Sequence, residues 1–92
     1  MTEEQVRFTA FVKAHTPDLL KLFDFDKREI KAAEVEQYLK TASSGEKQVA
    51  RFILGLWLGN NEYDFDLFDA VGTLSDNNVN VIREWLADPF WP

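Results

Sequence analysis

Between Ser43 and Leu58 the chain carries its densest apolar stretch, entered through Ser43-Ser44-Gly45 and left through Gly59-Asn60-Asn61. Serine side chains compete for backbone hydrogen bonds, so they favour the start of a helix over its interior. Val49, Phe52, Ile53, Leu56 and Trp57 then recur at three and four, while Ala50, Leu54 and Leu58 widen the stripe until its second half is apolar nearly all round. Such a helix has to be central, with other elements wrapped about it. Gly55 in mid-helix costs about 1 kcal/mol relative to alanine, which predicts that another element crosses closely there. Glycine and asparagine take left-handed backbone angles most easily, so Gly59-Asn60-Asn61 should end the helix.

The flanking sequence reads as further short helices. Thr2 with Gln5 three residues on is a capping-box pattern, and Phe8, Phe11, Val12 and His15 form one stripe behind it. Thr16-Pro17 predicts a cap with proline at the first helical position, followed by a short second helix through Leu19, Leu20, Leu22 and Phe23. Asp24-Phe25-Asp26 breaks the pattern. Asp26 with Glu29 is a further possible capping box ahead of a third helix through Ile30, Ala33, Val35, Tyr38 and Leu39, which should reach about Thr41. Tyr63 to Phe68 fits a strand by alternation and a helix by the spacing of Phe65, Phe68 and Val71; the helix is favoured, with Asp64 at its cap, Asp66 in its first turn and Gly72 at its end. Ser75 or Asp76 should cap a last helix presenting Val79, Ile82, Trp85 and Leu86, stopped by Pro89. The expected fold is therefore all-α, residues 1–92 forming a single compact domain of five or six short helices.

Composition excludes several function classes. With 92 residues and no cysteine, the chain has one core held by packing, with no thiol chemistry and no cysteine–zinc site. Residues 60–92 hold seven carboxylates against Arg83, whereas residues 1–59 hold nine acids and nine bases, so the whole formal charge of −6 comes from the last third. That balance argues against direct binding of nucleic acid, whose phosphates are gripped mainly by lysine and arginine. Lys27, Arg28 and Lys31 come closest to a basic patch, but Asp24, Asp26 and Glu29 are interleaved with them. The amino terminus lacks the basic and apolar regions of a secretory signal, and the apolar run Phe52 to Leu58 is far shorter than a membrane span. A cytoplasmic protein is expected.

No constellation points to catalysis or to a cofactor. His15 is the only histidine, and Ser43 or Ser44 would have to serve it as nucleophile without any nucleophile-elbow sequence. Asp64, Asp66 and Asp69 supply oxygen ligands in principle, but counted from Asp64 an EF-hand loop lacks its glycine at position six and its glutamate at position twelve. The four glycines are isolated, so there is no phosphate-binding loop. No metal and no enzyme activity are expected. Trp57 and Trp85 lie in apolar stripes and read as core, whereas Phe90-Trp91-Pro92 either folds back over the core or presents aromatics to a partner.

Ser44-Gly45, Val49-Ala50-Arg51-Phe52, Leu54-Gly55-Leu56-Trp57, Phe65-Asp66-Leu67 and Asp69 resemble a pattern found in small bacterial proteins of unknown function. Those proteins are encoded mainly on plasmids, integrated elements and phages. The resemblance spans about Ser43 to Asp76 and departs at Leu58, where the family usually carries asparagine. It implies bacterial origin and a helical fold, and brings no catalytic residues with it.

The reading that best accounts for these features is an acidic helical protein that acts by binding another protein. Its expected contact surface is Glu62, Tyr63, Asp64, Asp66 and Asp69 together with Trp91. The alternative is an inhibitor that mimics nucleic acid with its carboxylates; a small enzyme or a divalent-metal-binding protein comes third. The broad apolar surface of the helix after Ser43 also leaves room for a homodimer, should the chain not cover it by itself.

Overall fold

A computed structural model describes residues 1–73 and 76–92, except for the side chains of residues 73, 76 and 77. Helix α1 spans Glu3–His15 and opens with the expected capping box: Thr2 Oγ1 accepts the Gln5 N–H, and Gln5 Oε1 accepts the Thr2 N–H, both at 3.1 Å. Phe8 and Val12 are fully buried, while His15 is exposed with its ring 4.6 Å from that of Phe11. The second helix, Pro17–Leu22, is a 3-10 helix with proline in its first turn. Its expected threonine cap does not form, because the Thr16 hydroxyl turns back to the Val12 carbonyl at 3.4 Å.

The third helix begins later than its sequence pattern predicts. Asp26 and Glu29 do not cap it. Instead, strands β1 (Phe23–Asp24) and β2 (Glu29–Ile30) pair antiparallel, Phe23 with Ile30 and Asp24 with Glu29, and Asp24 Oδ1 accepts the Lys27 N–H within the turn at 3.1 Å. The cause is packing. Phe23 of β1 and Phe25 of the turn that follows both reach the Trp57 ring, at centroid distances of 5.6 and 5.7 Å. Helix α2 then spans Ala32–Thr41, with Lys31 as its cap and Val35 as its buried residue.

Helix α3, Ser44–Leu58, is the keel of the molecule. Ser43 and Glu46 form its capping box, and Gly59 closes it in the left-handed region at φ 72°, its N–H donating to the Gly55 carbonyl at 2.8 Å. Val49, Ala50, Phe52, Ile53, Leu54 and Leu56 are all buried. Trp57 and Leu58 are half-buried, so most but not all of the apolar surface of this helix is covered within the chain. Among the described residues no other helix crosses at Gly55: a Cβ there would lie 3.1 Å from the backbone oxygen of Asn60, so the close approach is the chain doubling back over the end of its own helix.

Helix α4 spans Leu67–Thr73 and is capped by Asp66, not by Asp64, since Asp66 Oδ1 accepts the Asp69 N–H at 3.0 Å. Asp64 lies ahead of the helix at φ 58°. Gly72 falls inside α4 rather than ending it. This later start changes which residues turn inward: Ala70 is fully buried, whereas Phe68 and Val71, expected on the inner face, are exposed. Helix α5 spans Asp76–Ala87; the expected cap by Ser75 or Asp76 lies outside the described residues. Val81, Ile82 and Trp85 turn into the core and Leu86 outward.

Among the described residues the result is a mostly helical domain with one two-stranded hairpin. Aromatic rings flank α3 on two sides. Phe8, Phe23, Phe25 and Trp57 form one group, and Phe52, Phe65, Trp85 and Trp91 form the other. Among the described residues, no helix is long and apolar enough to cross a membrane.

Candidate functional site

The second aromatic group lines a groove. Its floor comes from α3, which presents Arg51, Phe52, Gly55 and Leu56, and its walls come from the loop after Gly59, from Trp85 of α5 and from Trp91 of the tail. The space between them is about 330 Å³, at the small end of the range that holds an organic ligand or a large side chain.

The loop wall is built by asparagines. Asn60 Oδ1 accepts the Glu62 N–H at 3.0 Å, tightening the first turn after the helix. Asn61 then holds one residue twice: its Oδ1 accepts the Phe65 N–H at 2.9 Å, and its Nδ2 donates to the Phe65 carbonyl at 3.3 Å. One amide side chain therefore does for Phe65 what a neighbouring strand would do. Asp64 takes up the slack with its positive φ, and its N–H donates to the Asn61 carbonyl at 3.1 Å. Phe65 is thereby set against Phe52, ring centroids 5.4 Å apart.

The tail wall is fixed from α1 and α5 together. Trp85 Nε1 donates to the Phe90 carbonyl at 3.0 Å. Arg7 of α1 pairs with the Asp88 carboxylate at 2.6 Å, donates to the Asp88 carbonyl at 2.9 Å and lies over the Phe90 ring at 4.8 Å. Phe90 is buried. Trp91, edge-on to Trp85 at 5.0 Å, keeps 66% of its surface exposed, and its N–H donates to Glu4 at 3.3 Å. The two readings of the tail thus divide between neighbours: Phe90 folds back over the core and Trp91 stands at the mouth of the groove.

Arg51 joins this apolar groove to a polar one. It also lines a second cavity of about 270 Å³ with Ser44, Lys47, Gln48 and Asp69. Its Nε is buried and has no hydrogen-bond partner. Nearby, the Gln48 side chain is buried and accepts the Asp66 N–H at 3.4 Å.

The sequence-predicted contact residues are brought partly together. Trp91 lines the groove, and Glu62, Tyr63 and Asp64 sit on the loop between Asn61 and Phe65, which also line it. Asp66 is exposed but engaged as the α4 cap, and Asp69 lies at the polar cavity. Tyr63 is half-buried, and burial with help from the neighbouring Glu62 raises its phenol above the ordinary value of 10.0. Arg51, Asn61 and Trp85 were not marked as site residues by sequence. For Arg51 a signal existed, since it is the one charged residue between Val49 and Asn61. For Trp85 there was none, because its partners come from other elements.

Other groups of chemical interest lie apart. His15 lines a cavity of about 350 Å³ with Arg7, Phe11, Glu84, Asp88 and Phe90, while Ser44 lines the polar cavity beside Arg51. The Ser43 hydroxyl accepts the Glu46 N–H at 3.2 Å. Among the described residues, no three histidine, aspartate or glutamate side chains are grouped so as to hold a metal ion. The Tyr38 phenol is raised by burial and by the carboxylates of Glu46 and Asp18.

No family model, curated protein or solved structure matches the chain.

Proposed function

We propose that the protein acts by binding another protein, and that the groove at Trp91 receives an apolar side chain of that partner. The observation that carries this reading is Trp91 itself. Tryptophan is enriched among the few residues that dominate interfaces, and this one is mostly exposed while its ring rests on Trp85 and its backbone is tied to Glu4. A large side chain held ready loses little freedom on binding. Around it the walls are apolar apart from Arg51, Asn60 and Asn61, which suits capture of a hydrophobic anchor.

The acidic loop supplies the orientation. Glu62 and Asp64 are exposed beside the groove, and the last third of the chain carries the entire net charge. A partner with basic residues around its apolar anchor would be steered to this side of the molecule. We place this activity in the bacterial cytoplasm, in keeping with the sequence resemblance. The alternative, mimicry of nucleic acid, has less to draw on, because Asp66 caps α4 and Asp88 pairs with Arg7.

The test is affinity capture from the native host with the wild-type protein, the Trp91→Ala variant and an Asp64→Lys, Asp69→Lys variant. Specific capture lost with Trp91→Ala, and weakened and made less salt-sensitive by the charge reversal, is the expected result. Capture that is indifferent to both variants would sink the assignment.

A further inference from the structure

The polar cavity and the apolar groove follow one another along α3. Ser44, Lys47, Gln48 and Arg51 recur at three and four, so they share one face of the helix, and they line the polar cavity together with Asp69. Arg51, Phe52, Gly55 and Leu56 then continue as the floor of the groove. Among the described residues, Arg51 alone lines both.

This junction is a basic spot on an acidic chain. Lys47 and Arg51 meet one carboxylate there, that of Asp69, while the neighbouring Asp66 carboxylate serves the start of α4, its Oδ1 accepting the Asp69 N–H. Among the described residues neither cation forms an ion pair, and the buried Nε of Arg51 has no hydrogen-bond partner. A buried donor left unpaired is costly, and a guanidinium is met best by a carboxylate that accepts two parallel hydrogen bonds. The groove thus offers an apolar slot with a place for an anion at one end. Resting on the partner reading above, we infer that it takes the carboxy-terminal residue of that partner: an apolar side chain seated against Phe65 and Trp91, and the terminal carboxylate held by Arg51 and Lys47. A terminal residue carries both groups on one Cα, whereas in an extended segment the next side chain points to the opposite face. Glu62 and Asp64 on the loop are left to steer basic residues that precede the terminus.

The test titrates isotope-labelled protein with a glycine–serine pentapeptide ending in phenylalanine, once as the free acid and once as the carboxamide. NMR follows the Nε–H of Arg51 and the indole N–H of Trp91. The acid should shift both signals, and the amide should bind about tenfold or more weakly. Lys47→Gln and Arg51→Gln should each weaken the acid and leave the amide unchanged, with circular dichroism checking the fold. The amide comparison and Lys47→Gln carry the test even where Arg51→Gln disturbs α3. Trp91→Ala should weaken both peptides. Equal binding of acid and amide, lost with Trp91→Ala, would overturn the carboxylate assignment and leave the groove standing. Acid binding that survives both cation substitutions would overturn it too. Binding of neither peptide would also overturn the inference, and the groove itself is then judged separately by partner capture with Trp91→Ala.

Discussion

The indole N–H of Trp85 donates to the main-chain carbonyl of Phe90 at 3.0 Å, a buried hydrogen bond that ties the tail to the helix before it. Pro89 lies between them, so the chain turns back without continuing α5. Trp85→Phe keeps a smaller aromatic ring and removes the donor. It should cost about 1–2 kcal/mol, because the Phe90 carbonyl is left without its partner. Urea denaturation measures the loss, and the emission of Trp91 should shift as its contact with residue 85 loosens.

Gly55 and Gly72 make opposite predictions from the same substitution. Both lie in helices, where alanine ordinarily gains up to about 1 kcal/mol over glycine. A Cβ at Gly72 meets nothing within 4 Å, so Gly72→Ala should stabilise by about that amount. At Gly55 the Cβ would lie 3.1 Å from the Asn60 carbonyl, which the left-handed Gly59 and the Asn60 side-chain turn hold in place. Gly55→Ala should therefore destabilise by about 1 kcal/mol, and paired urea melts would show the difference in sign.

Asn61→Ala removes both hydrogen bonds to Phe65. Hydrogen exchange at the Phe65 amide should accelerate strongly while the amides of α3 stay protected, because the loop opens without unfolding the helix. Partner capture should fall along with it. Unchanged exchange at Phe65 would mean that the loop is held by Phe52 packing alone.

Glu46 makes the fold sensitive to acid. Hydrogen bonds to the backbone and side chain of Ser43 hold its carboxyl below the ordinary value of 4.5. A group whose pKa is depressed by folding contributes stability that is present above its unfolded value and is lost as pH falls through its folded value. Glu46→Gln keeps the capping-box geometry without the charge. Its stability deficit relative to wild type should be present at neutral pH and shrink as pH drops below 4.5, as followed by thermal melts across that range.

The helix boundaries that were legible in the sequence rest on contacts within four residues. Thr2 with Gln5, the serines ahead of α3 and Gly59 after Leu58 each carry their own reason in the local chain. Asp26 and Glu29 show the same pattern to the eye, yet a hairpin forms because Phe23 and Phe25 gain a shared contact with Trp57, more than thirty positions away. The choice between Asp64 and Asp66 as cap of α4 was likewise not local, since Asn61 holds Phe65 in extended chain and delays the helix. Gly55 marked a close backbone approach correctly, but not whose backbone it was. At the candidate site, Trp91 and the acidic loop stood out by composition. Their convergence with Arg51 and Trp85 on one groove was invisible, because α3, α5 and the tail meet there only after folding.

The clasp between Arg7 and Asp88 spans 81 positions of sequence. Closing so long a loop is entropically slow, and contacts of this range form late in folding. Phe11 likewise meets its neighbour Phe90 only across a comparably long stretch of chain. The groove wall at Trp91 depends on that same clasp, so the groove should take shape later in folding than the locally capped helices.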